Sequence, residues 1–127
     1  DTHLVVDLTG TYGPDGAKPT AGAPYRVLDT RDAGGRITGG EIVEVDLGAD
    51  GAAAALVNVT VTEPLAPGYI TAWACGDDQP FTSNVNYQPW QTITNTAIVG
   101  GDTLCVYAHA DTHLVVDVNV AYRNGSA

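Results

Sequence analysis

The sequence predicts an all-β fold: an antiparallel β-sandwich, with a jelly roll as its variant, closed by one disulfide. Three observations carry this. Apolar and polar residues alternate with period two in several runs rich in Val, Ile and Thr. Turn dipeptides separate the runs: Gly34-Gly35, Gly39-Gly40, Asp50-Gly51, Pro67-Gly68, Gly76-Asp77 and Gly100-Gly101. Only Ala52–Ala55 has helical propensity, and that run is too short to stand alone as a helix. About seven to nine strands spaced roughly 8–15 residues apart suit a sandwich or a barrel, of which the sandwich is expected.

Each strand can be justified in chain order. Leu4, Val6 and Leu8 alternate with Val5, Asp7 and Thr9. A short acidic strand spans Glu41 to Leu47. Val57, Val59 and Val61 form an inward face, with Asn58, Thr60 and Thr62 facing out. Ile70, Ala72 and Ala74 alternate with Tyr69, Thr71, Trp73 and Cys75, and Ile93, Asn95 and Ala97 with Thr92, Thr94 and Thr96. Leu104, Val106 and Ala108 alternate with Cys105, Tyr107 and His109. In the last strand Leu114, Val116, Val118, Val120 and Tyr122 are expected to line one face.

The ends of the chain repeat each other. Asp1–Asp7 and Asp111–Asp117 both read DTHLVVD, and a looser likeness runs on to Tyr12 and Tyr122. The offset of 110 residues points to tandem copies. Residues 1–12 are therefore expected to be the last strand of a preceding repeat. Residues 13–24, rich in Gly and Pro, read as a linker, 25–123 as one β-sandwich module and 124–127 as a tail. Two equivalent strands compete for one slot, so a strand-swapped homo-oligomer is a candidate partner beside a neighbouring repeat.

Composition narrows the function. The 127 residues are 44% hydrophobic and 16% charged, enough apolar mass for one packed domain. Fifteen acidic residues against five basic ones give a net charge of -10, which repels phosphate and argues against nucleic acid and anionic lipid. No run of eighteen apolar residues occurs, so membrane insertion is not expected. Cys75 and Cys105, both in apolar strand-like segments, are expected to form a disulfide in an oxidising compartment. Closing a loop of that length is worth roughly 3.5 kcal/mol in the chain-entropy model.

Two regions attract a ligand reading. Asn84, Asn86, Asn95 and the neighbouring glutamines offer amides that donate and accept, as sugar hydroxyls require. Tyr87 and Trp90 supply rings that stack on the apolar face of a pyranose; Trp73, Tyr69 and Phe81 are further candidates, with Trp73 read as core. Arg31 belongs to a charged segment in which Arg26 and Arg31 can pair with Asp29 and Asp32. His109 and His113 flank Asp111, but spacing fixes no third zinc ligand, so no metal site is assigned. Calcium remains a candidate cofactor on the acidic turns at Asp50 and at Asp77-Asp78, although no EF-hand loop is present. No GxSxG, HExxH or Walker A motif occurs, and no catalytic residue is assigned.

Four ordered blocks carry a resemblance. They are Arg26-Val27-Leu28-Asp29-Thr30-Arg31, Leu56–Thr62 (LVNVTVT), Ser83–Tyr87 (SNVNY) followed by Gln91–Asn95, and His113–Asp117 (HLVVD) with Tyr122. Over about Tyr25 to Tyr122 the chain resembles tandem β-rich modules of secreted and cell-surface proteins of actinobacteria. The resemblance implies an extracellular or cell-surface module of repeated type and supplies no catalytic residues. The expectation is a non-catalytic module that binds a glycan or cell-wall polymer through Trp90, Tyr87, Asn84, Asn86, Asn95 and Arg31. The competing expectation is a stalk or adhesin repeat that spaces other domains and holds no small ligand.

Overall fold

The computed structural model describes residues 1–124 except 7, 9, 10, 12, 21 and 50, and only the backbone of residue 20. The expected turn acid Asp50 and part of the N-terminal strand lie outside the described residues. Among the described residues nine strands follow in order: β1 Lys18–Thr20, β2 Tyr25–Asp29, β3 Ile42–Asp46, β4 Ala54–Thr62, β5 Gly68–Ala74, β6 Val85–Tyr87, β7 Ile93–Gly100, β8 Thr103–Ala108 and β9 His113–Arg123. No helix occurs among the described residues. The Ala52–Ala55 run feeds into β4 instead.

The strands form two antiparallel sheets. One has the order β1-β9-β4-β7, with β2 also paired to β9; the other has the order β3-β8-β5-β6. β1 and β2 share one edge of β9, pairing with Arg123–Ala121 and with Val118–Val115 respectively. From β2 onward the pairing is nested: β2 with β9, β3 with β8, β4 with β7, β5 with β6. That is a long ribbon folded back on itself and rolled, and β4·β9 and β5·β8 contacts close the roll. The fold is a jelly-roll sandwich.

The core sits between the sheets and follows from alternation. Val57, Val59 and Val61 of β4 face Ile70, Leu104 and Val106 of the other sheet, all with at most 1% exposure. On the opposite face of β4, Thr60 pairs its hydroxyl with Thr94 of β7, and the buried Thr62 pairs with Thr92 just before β7, each at 2.7 Å. Thr96 donates to Asn58 at 2.7 Å in the same row. Cys75 and Cys105 are joined, with Cα atoms 5.1 Å apart, on the outer side of the β5·β8 pair.

Three expectations change. The β4·β9 register shifts between Leu56 and Val57, so Asn119 is an extra residue in β9. Leu114, Val116 and Val118 therefore face the core, while Val120 and Tyr122 share a side with their partners Leu56 and Ala54. Within the expected linker, Lys18–Thr20 adds to the sheet as β1. The third concerns residues 1–12. None of the described ones lies in a strand, and Leu4, Val5, Val6 and Leu8 are 80–84% exposed.

Candidate functional site

The outer face of the β3-β8-β5-β6 sheet carries the site. Strand parity that sends Ile70 and Val106 inward sends Tyr69 and Tyr107 outward, and Asn86 of β6 stands opposite Tyr69. Tyr69 stacks on His109 with ring centroids 5.1 Å apart and an interplanar angle of 14°, and its ring lies 5.9 Å from that of Tyr107. Ile42 of β3, half exposed, is the cross-strand neighbour of Tyr107 and extends the apolar row.

The segment joining β5 to β6 walls this row. It is anchored by Thr71 Oγ1, which donates to the Thr82 carbonyl at 2.8 Å, and by Asn84, whose Oδ1 accepts from the Ala72 amide at 2.8 Å. The result is an open groove of about 660 Å³. Tyr69, Tyr107 and Phe81 supply its rings; Gln79, Thr82, Ser83 and Asn86 supply polar groups. Among the described residues none in the lining is charged. Phe81 is wholly exposed at the rim.

Of the six residues expected to form the site, Asn86 lines this groove and the other five do not, while Tyr69 and Phe81, the further candidates, both line it. Tyr87 points the other way, into the core, because it shares parity with Val85. It is 2% exposed, donates to the Ala110 carbonyl at 2.9 Å and accepts from the Ala110 amide at 3.2 Å. Burial raises its phenolic pKa. Gly68 makes room for it: a Cβ there would meet the Tyr87 hydroxyl oxygen at 2.9 Å. Asn84 prolongs the pairing along β5 where β6 has not begun; its amide also donates to the Ile70 carbonyl at 2.9 Å. Asn95 lies on the edge strand β7, and its Nδ2 donates to the Asn84 carbonyl at 2.5 Å, bridging the two sheets. These amides satisfy backbone.

Trp90 is exposed but lies in the β6–β7 turn, outside the groove. The turn bends at Trp90 (φ 62°), whose amide donates to the Pro64 carbonyl at 2.8 Å. The Arg36 guanidinium lies over one face of the ring at 5.5 Å from its centroid, a cation–π contact. Arg31 is taken up by Asp29: Nε donates to Oδ1 at 2.9 Å and Nη2 to Oδ2 at 2.8 Å. Those bonds pull the Asp29 carboxyl down to about 2 against the opposing effect of burial. Arg26 bonds Asp117 of β9 at 2.8 Å. Asp32 joins none of the ion pairs among the described residues.

Among the described residues, the one grouping of His, Cys, Asp or Glu close enough to share an ion is Glu44 with Cys75 and Cys105. Both sulfurs are committed to the disulfide, so the grouping has no thiolate to offer. His113 Nδ1 shares a 2.9 Å hydrogen bond with Thr30 Oγ1, and His109 stacks on Tyr69. The Asp111 carboxylate accepts from the Gly39 amide at 2.7 Å.

Tyr107 escaped the sequence reading. Its signal was parity: outward positions of neighbouring strands, Tyr69 and Tyr107, converge once β5 and β8 are known to pair. No protein-family model matches the chain, and no curated protein does. Among solved structures it is similar to a carbohydrate-binding module of Cellvibrio mixtus lichenase 5A in complex with cellotriose, at 18% identity and a TM-score of 0.32, over 89% of this chain and 93% of that one. The sandwich described above rests on strand pairing and not on this likeness.

Proposed function

We propose that the domain is a non-catalytic, extracellular or cell-surface module that binds an uncharged polysaccharide in the groove over Tyr69 and Tyr107. One observation carries the reading: an open, uncharged trough with rings on its floor and rim and hydroxyl and amide groups beside them. Rings bury the apolar face of a pyranose, and Asn86, Gln79, Thr82 and Ser83 match its hydroxyls. The net charge of -10, with no cation in the lining, favours neutral glycans over uronates. The disulfide supports the extracellular location.

The test is depletion by insoluble neutral glucans, chitin and cell-wall preparations, followed by calorimetry with soluble neutral and uronate oligosaccharides. Tyr69→Ala and Tyr107→Ala are each expected to weaken binding at least about tenfold, a loss of order 1.4 kcal/mol. Trp90→Ala is expected to leave it unchanged. Calcium enters only as a chelation arm, and binding is expected to survive it. Binding lost with Trp90→Ala and kept in both Tyr variants would move the site to the β6–β7 turn.

A second reading, the spacer or adhesin repeat, is favoured by the duplicated DTHLVVD segment. It predicts that no glycan depletes the wild-type protein.

A further inference from the structure

The heptapeptide repeated at the two ends covers the stretch of β9 and its approach that makes the specific contacts. The Asp111 carboxylate accepts from Gly39, and Thr112, fully buried, pairs by backbone with Ile37 at 2.8 and 3.1 Å. His113 bonds Thr30, Leu114 and Val116 are 0% exposed, and Asp117 takes the Arg26 guanidinium. The N-terminal copy supplies the same residue at each of these positions, from Asp1 to Asp7. Beyond it, Leu8 stands for Val118, and Thr9-Gly10 for Asn119-Val120 where β9 bulges. Glycine is well suited to a bulge. Yet Leu4, Val6 and Leu8 stand in solvent, whereas Leu114, Val116 and Val118 are at most 1% exposed.

The chain path allows exchange. By the offset of 110, Gly13 is the counterpart of Arg123, which pairs with Lys18. Only residues 14–17 separate the two, a four-residue hairpin loop, a common length. The Gly16 amide already donates to the Gly13 carbonyl at 3.1 Å, so the chain turns there. Thr11 and Gly13 share a cavity with Ala54, Ile98 and Tyr122, at the end of the sheet where such a hairpin enters.

We propose that residues 1–11 are an alternative ninth strand, able to fill the slot between β4 and the β1–β2 edge of their own chain by a hairpin through Gly13–Ala17. The slot then has two occupants of matched chemistry, and β9 is released when the N-terminal copy enters. This goes beyond glycan binding and uses none of the groove residues.

The test uses the full chain with Val116→Asp, which places a carboxylate at a fully buried position and expels β9. It is run beside Val6→Asp and the double variant Val6→Asp/Val116→Asp. Circular dichroism reports folding, light scattering reports mass, and hydrogen exchange locates the strand. Val116→Asp is expected to stay folded and monomeric, with amides of Leu4, Val5, Val6 and Leu8 slowed at least about 100-fold and those of 114–118 exposed. Val6→Asp is expected to match the wild type, and the double variant to unfold. Three outcomes overturn the proposal: Val116→Asp as unfolded as the double variant, a folded Val116→Asp with β9 still protected, or one that folds only as a dimer.

Discussion

Tyr87 is the side chain on which the β6 side of the sandwich depends. Its hydroxyl takes both backbone groups of Ala110, and its ring fills the space left by the absent side chain of Gly68. Tyr87→Phe keeps the ring and orphans both groups, so an unfolding loss of about 1–3 kcal/mol is expected in denaturant titrations. Glycan affinity should be unchanged, since the ring lies on the core side of the sheet. Tyr69 and Tyr107 invert that pattern: their replacement is expected to touch binding far more than folding. The sequence displayed all three tyrosines alike. Parity separates them, and for Tyr87 parity was hidden because Val85–Tyr87 is a three-residue strand inside an amide-rich segment. The asparagines misled for a related reason. An amide that matches a sugar hydroxyl matches a backbone amide equally well, and Asn84 and Asn95 are used that way.

Among the elements, β3, β4, β5, β7, β8 and β9 were legible, and β1, β2 and β6 were not. β4 shows clean alternation because one face is buried and the other is polar or half covered, while β5, β8 and the first half of β9 bury residues of both faces. β1 and β2 lie on a sheet edge, are short, and carry charge or proline, so they read as linker and loop. β2 is held by its carboxylates. Asp29 at its end binds Arg31, and Arg26 reaches across to Asp117 of β9. A carboxyl held at about 2 stabilises the fold fully above the ordinary Asp pKa of about 3.9 and ceases to do so as pH falls through 2. The melting temperature of Asp29→Asn is therefore expected to lie below that of the wild type at neutral pH. The gap should narrow from about pH 4 downward and close near pH 2, as melting curves across that range will register. A gap independent of pH would remove the ion pair as its source.

For the molecule as a whole, strand content was in the sequence and strand order was not. Alternation says which face of each strand is buried and is silent on which neighbour it meets. The nested pairing of β2 with β9 through β5 with β6 comes from contacts distant along the chain. The groove inherits that distance: its rings sit on β5, β8 and the β5–β6 segment, and only the closed roll brings them together. The disulfide staples the same pair of strands. Trp73, 9% exposed, stands directly opposite Cys105 on the neighbouring strand, while Trp90 lies out in solvent. Disulfides quench nearby indole emission, so Trp90 is expected to dominate the fluorescence of the folded protein. Reducing the bridge is expected to add emission from the buried Trp73, which an emission scan before and after reduction will register. The domain thus carries two optical labels of its own, one for the turn at Trp90 and one for the stapled face that forms the groove.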